Sequence, residues 1–118
     1  RSVVTFRCAR GVGRGTWTGE RPRIGDGKHV ELEAGDVLEL GVNAAPAAQP
    51  QAFMRMGRES VEITARLDAR QVDEEPLRFV FRDGHVEVDT KDAQSPGWQV
   101  GGWYVITLAH LELFDENL

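Results

Sequence analysis

The sequence predicts an all-β protein of about six to seven mainly antiparallel strands, arranged as a small, partly open barrel or a sandwich. Apolar and polar residues alternate along most of the chain, which is the period of strands with one buried face. Short turn-rich segments separate these alternating stretches. At 118 residues, 41% of them hydrophobic, the chain is long enough to bury one core, so we expect a single domain over residues 1–118.

The first predicted strand alternates from Val4, with Phe6 and Cys8 on the same face. Three glycines at alternate positions follow in the stretch GVGRG, before β-type residues resume at TWT. Glycines inside a strand pattern usually mark a bulge or a tight bend. We therefore expect one long, coiled first strand that bends at these glycines.

Two alternating stretches come next, residues 29–33 (HVELE) and 37–42 (VLELGV). Ala-Gly-Asp between them predicts a turn, and the two stretches are predicted to form a hairpin. Residues 43–52 are rich in alanine, proline and glutamine, and the prolines oppose a long helix. This segment is predicted to be a mobile loop with at most one short helical turn.

Residues 60–68 (SVEITARLD) alternate cleanly, although a helix over about 59–74 competes because several of these residues are good helix formers. The β-branched start of the segment favours a strand. Residues 77–82 and 85–90 also alternate, and the intervening Asp83-Gly84 is typical of a tight hairpin turn.

The last segment, WYVITLAHLELF, is apolar on both faces as far as Leu108. It is predicted to be a strand that is covered on both sides, or one with a bulge near Ala109 and His110 that returns the following leucines to the core. Of its first two residues, Trp103 is expected in the core and Tyr104 on the opposite face.

Charge is unevenly distributed along the chain, whose formal net charge is -5. This net charge disfavours general binding to nucleic acid, although residues 1–28 are basic and only the remainder is acidic. The single cysteine, Cys8, excludes an intramolecular disulfide and is expected to act as a small buried hydrophobe. No stretch approaches the roughly 20 apolar residues that span a bilayer, and we expect a cytoplasmic protein without membrane contact.

The stretch from Arg10 to Arg23 (RGVGRGTWTGERPR) is the candidate site for an anion or a partner. Its glycine spacing does not match a dinucleotide-binding motif, and no helix pattern follows it. Two interpretations remain. The arginines either line the solvent face of a strand and balance acidic residues elsewhere, or they form a cationic stacking surface with the tryptophan, as in single-strand binders. The residues concerned are Arg10, Arg14, Trp17, Arg21 and Arg23.

No motif for catalysis or metal binding is present. The three histidines, His29, His85 and His110, match no local metal spacing, and the carboxylate pairs resemble solvated turns. We therefore expect no metal, no cofactor and no enzymatic activity.

A resemblance covers most of the chain, through WTGERPRIG, HVELE, DVLELG and the terminal WYVITLAHLELFDENL. In these segments the chain is similar to small bacterial single-domain proteins of undetermined function, which implies a β-barrel and no mechanism. Among barrels, one of the oligonucleotide/oligosaccharide-binding type is favoured, because such folds begin with a long glycine-bent strand.

The expected function is a non-enzymatic binding module that contacts another macromolecule, and a protein is the expected partner. An immunity or antitoxin-like role is one version, because an acidic face suits a basic partner. The alternatives are single-stranded nucleic-acid binding through the basic N-terminal segment and an uncharacterised enzyme.

Overall fold

The computed structural model describes residues 2–8, 11–18, 30–70, 76–81 and 84–115. The regular structure within these ranges consists of strands, which confirms the predicted all-β class. The strands are β1 (Ser2–Cys8), β2 (Gly11–Thr18), β3 (Val30–Leu38), β4 (Ala44–Pro46), β5 (Phe53–Met56), β6 (Val61–Arg70), β7 (Leu77–Phe81), β8 (Gly84–Thr90), β9 (Trp103–Leu108) and β10 (Leu111–Asp115). Within the described ranges, no helix is both long and apolar enough to cross a bilayer.

Seven strands close into a barrel in the order β2, β10, β3, β8, β7, β6, β5 and back to β2. β1 extends the sheet beyond β2, while β9 and β4 extend it beyond β6. The pairs β2 with β10, β3 with β8 and β2 with β5 are parallel, and the other pairs are antiparallel. The prediction of a small, mainly antiparallel β fold is confirmed. Of the two predicted architectures, a barrel and a sandwich, the barrel is the one observed.

The barrel interior is filled by a row of apolar residues, one from each of six neighbouring strands. Each residue lies directly opposite the next in the strand register, and none is more than 7% exposed. In order around the barrel they are Trp17, Leu113, Leu32, Val86, Phe79 and Leu67. Burying one such side chain contributes about 1.5–3 kcal/mol, so this row is a principal source of the fold's stability.

The predicted long first strand is instead two antiparallel strands, β1 and β2, with Cys8 opposite Gly11. The glycines of β2 allow close packing rather than a bend. A Cβ on Gly13 would overlap the ring of Phe6, and a Cβ on Gly11, whose φ is +141°, would overlap the carbonyl oxygen of Met54. Since Gly11 and Met54 form the contact between β2 and β5, the first glycine permits the barrel to close.

The predicted hairpin between residues 29 and 42 is wrong, because β3 runs through the expected turn as one strand from Val30 to Leu38. The strand is only irregular there, with a shift of register against β8 between Glu33 and Val37. Gly35 donates its amide to the His110 carbonyl, and the Asp36 carboxylate accepts the amides of Ala109 and His110 at 2.8 and 2.9 Å. These bonds hold the segment against the chain between β9 and β10.

The irregularity predicted near Ala109 and His110 is present, but it separates two strands and is not a bulge in one strand, because β9 pairs with β6 and β4 whereas β10 pairs with β2 and β3. Both following leucines, Leu111 and Leu113, are buried as predicted. The assignment of the two aromatic faces of β9 is wrong. Tyr104 is 3% exposed and lies in the core, whereas Trp103 is only half-buried.

An aromatic cluster shows why Tyr104 faces inward. Its ring packs against Trp98 and Phe79, with centroids 4.9 and 6.2 Å away. Its hydroxyl accepts a hydrogen bond from the Gln99 amide at 2.7 Å and donates one to the Gly97 carbonyl oxygen at 2.6 Å. The tyrosine thereby fixes the loop before β9 over the barrel.

Three further segments test the predicted strands. The strand over residues 60–68 is confirmed by β6, although residues 71–75 lie outside the described ranges. The predicted hairpin is confirmed by β7 and β8, but Phe81 pairs with Gly84, so the connection is Arg82-Asp83, which is not described. The segment 43–52, predicted as a loop, contains the short strand β4 at Ala44–Pro46, which pairs with β9.

Candidate functional site

The predicted basic site is only partly described, since Arg10, Arg21 and Arg23 lie outside the described residues. Arg14 lies on the outer face of β2 and is half-buried. Its Nη2 donates to the carbonyl oxygen of Arg58 at 3.0 Å, which ties β2 to the turn between β5 and β6. This guanidinium therefore has a structural contact within the chain.

Trp17 lies in the barrel interior at 4% exposure, which corrects the expectation of a surface ring beside Arg14. The alternation of β2 explains the position, because Gly13, Gly15 and Trp17 share the inner face. Single-strand binders stack bases on exposed aromatic rings, and Trp17 offers no such surface. Arg14 is therefore the one residue of the predicted site that the structure both describes and leaves partly accessible for binding.

A row of carboxylates crosses the opposite part of the barrel. Glu112 of β10 lies directly opposite Glu33 of β3, and Glu33 lies directly opposite Glu87 of β8. We call these three residues the acidic row. Arg78 of β7 is the next residue in register after Glu87, and Thr16 of β2 lies at the other end, opposite Glu112.

Little within the described ranges neutralises the middle of this row. Glu33 and Glu87 are exposed, and neither forms an ion pair with a described residue. Arg78, although opposite Glu87 in register, directs its Nη2 toward His85 Nδ1 at 3.5 Å. Like charges directly opposite one another on a sheet destabilise it, so the acidic row is held together by the fold at some cost.

Beside the acidic row lies a shallow groove of about 180 Å³. Carboxylates of Glu33, Glu87 and Asp89 line it, together with His85 and Pro76. Sites for small ligands and cofactors are typically about 300–1,000 Å³, so this groove is too small for such a molecule. A single long side chain is a better match for its volume, and the surrounding carboxylates favour a cationic one.

Metal binding has no support in the described part of the chain, where no three histidine, cysteine or acidic side chains are placed to hold an ion. His85 lines the groove and His110 lies at the exposed turn before β10. His29, the third histidine, falls outside the described ranges. Cys8 is half-buried and packs against the core, as expected for a small apolar residue.

Comparisons with protein families, with curated proteins and with solved structures find no match for this chain. The acidic row and its groove are therefore interpreted from their geometry.

Sequence reasoning placed Glu33 on an outer face but did not bring it together with Glu87 and Glu112. Each of the three follows a buried apolar residue, namely Leu32, Val86 or Leu111. That alternation marks an outward position. It does not specify that β3 pairs with both β8 and β10, and this pairing is what forms the row.

Proposed function

We propose that this protein is a non-catalytic binding module whose acidic row and groove bind a basic segment of another protein, with one lysine or arginine side chain seated in the groove. The observation that carries the proposal is the direct register of three glutamates beside a groove of single-side-chain size. Complementary charge of this kind increases the association rate and selects against acidic partners.

Electrostatics supports the proposal further. Placing Glu33 directly opposite Glu87 costs stability, and a bound cation reverses that cost. Because Glu33 and Glu87 are exposed, the interaction is screened by salt and should weaken as ionic strength rises. A role as an inhibitor or immunity factor for a basic protein is one form that this activity can take.

The test uses a labelled decapeptide that contains lysine and arginine, titrated with the protein and followed by fluorescence anisotropy. We expect saturable binding that weakens with salt and is lost in Glu33→Lys. The matched control is Asp92→Lys, which makes the same change in net charge in an exposed loop outside the groove. An equal loss in both variants would show that only net charge matters, and would contradict a defined site.

A second titration with a labelled oligothymidine tests the alternative of nucleic-acid binding. Binding of the oligonucleotide that is lost in Arg14→Ala, with no binding of the basic peptide, would replace the proposed function with that alternative.

A further inference from the structure

An outer face on the far side of the barrel carries an uncharged row. Phe53 of β5 lies opposite Thr64 of β6, Thr64 lies opposite Val105 of β9, and Val105 lies opposite Ala45 of β4. Three of the four are apolar and the fourth is a threonine, and we call them the apolar row. Phe53 is 48% exposed, and Ala45 is exposed as well. Strands β5 and β6 lie across the closed ring from β3, so this face is separate from the acidic row.

Charged residues flank the apolar row in an antisymmetric arrangement. On β6, Glu62 lies two residues before Thr64 and Arg66 lies two residues after it, all on the outer face. Within the chain, Glu62 pairs with Arg55 at 2.8 Å and Arg66 with Asp68 at 3.4 Å. Both pairs remain accessible to solvent, with side chains between 32% and 64% exposed.

We infer that this face binds a second copy of the same chain, with a two-fold axis along the apolar row. Such an axis places each residue of the row against its own copy and reverses the direction of β6 in the partner. Glu62 of each chain then faces Arg66 of the other, twice in the dimer. The face is therefore complementary to itself in both charge and hydrophobicity.

The expected dimer is weak. Four strands at about 4.8 Å spacing and a few residues along each give a patch well below the roughly 800 Å² that each partner of a standard interface buries. Interfaces of standard size have dissociation constants from micromolar downward, so for this smaller patch we expect one weaker than about 1 µM. In this dimer the two acidic rows point outward, so the dimer does not cover the proposed binding groove of either chain.

Sedimentation velocity on the full chain over a concentration series tests the inference. The wild-type protein should pass from monomer to dimer, and Thr64→Arg should raise the dissociation constant at least tenfold, because it places two cations together on the axis. Thr5→Arg, at an exposed position of β1, is the matched control and should leave the dissociation constant unchanged. Thermal melting of each variant confirms that it is folded.

Exchanging the charges of Glu62 and Arg66 distinguishes ion pairs between the two chains of the dimer from ion pairs within one chain. Glu62→Arg and Arg66→Glu should each weaken the dimer, and the double variant E62R/R66E should restore it, because the pairs between chains are complementary again. Within one chain the double variant is the worst case, since it opposes both Arg55 and Asp68 with like charge. A monomer at every concentration tested, or a dimer that Thr64→Arg leaves intact, would overturn the inference.

Discussion

Substitution of Gly15 by alanine is the sharpest test of how the barrel is packed. Gly15 lies in β2 and is buried. A Cβ on this residue would overlap Cδ1 of Leu113 and approach the carbonyl oxygen of Leu111 to 2.8 Å. Leu113 is 1% exposed, and the Leu111 carbonyl is part of the backbone of the neighbouring strand, which cannot rotate away as a side chain can. β2 and β10 must therefore separate to admit the methyl group.

The expected loss of stability follows from two opposing terms. Adding a methyl group to a well-packed core costs about 1–3 kcal/mol, and this site is at the upper end because one obstacle is backbone. Alanine also restricts the unfolded chain, which stabilises the fold by about 0.4–1 kcal/mol. The net loss is about 2 kcal/mol. With an unfolding entropy of about 2.1 cal/mol/K per residue, the melting temperature of this chain falls by about 8 °C.

Differential scanning calorimetry of Gly15→Ala and Gly35→Ala measures the effect against a matched control. Gly35 also lies in a strand of the barrel, but the nearest atom to its Cβ position is His110 Cβ at 3.4 Å, an ordinary contact. The control should melt within about 2 °C of the wild type, or slightly higher. Melting temperatures that are equal in the two variants would refute the close approach of β10 to Gly15.

Three further substitutions give distinct outcomes. Asp36→Ala removes the acceptor of two backbone amides, and urea unfolding should show a loss of about 1–3 kcal/mol, whereas a loss below about 0.5 kcal/mol would contradict the described bonds. Tyr104→Phe should cost about 1–2 kcal/mol and accelerate hydrogen exchange at the Gln99 amide, which loses its acceptor; unchanged exchange there would count against that bond. Glu33→Gln should stabilise the protein by about 0.5 kcal/mol at low salt and by less at about 1 M salt, and a destabilised variant would show that the acidic row is not repulsive.

Local patterns predicted most of the strands because alternation directly reports which face of a strand is buried. In β6 the buried residues are Val61, Ile63, Ala65 and Leu67, as the sequence indicates. The predicted turn at Gly35 failed for a nonlocal reason. Its amide and the carboxylate of Asp36 are bound by the chain near His110, about 75 residues later, and no local pattern contains that partner.

The glycines of β2 show a second limit. Their spacing indicates either a bend in the strand or a close approach of a neighbouring strand, and the local sequence pattern is the same in both cases. What distinguishes them is the residue on the neighbouring strand, such as Phe6 against Gly13 or Leu113 against Gly15. The position of Trp17 has the same explanation. It lies on the same face of β2 as Gly13 and Gly15, which is inside the barrel, whereas Arg14 lies on the outer face.

The acidic row and the barrel core share one register. Leu32, Val86 and Leu113 are aligned inside the barrel, and Glu33, Glu87 and Glu112 are adjacent to them in sequence and aligned outside. A slip of one residue would expose the leucines, so the core dictates that the three glutamates meet. The core does not dictate that they be charged, because glutamine at the same positions would keep the register and remove the repulsion. Glu33 and Glu87, which lie directly opposite each other, therefore carry a cost that folding does not require, and the cationic partner that we propose would offset it.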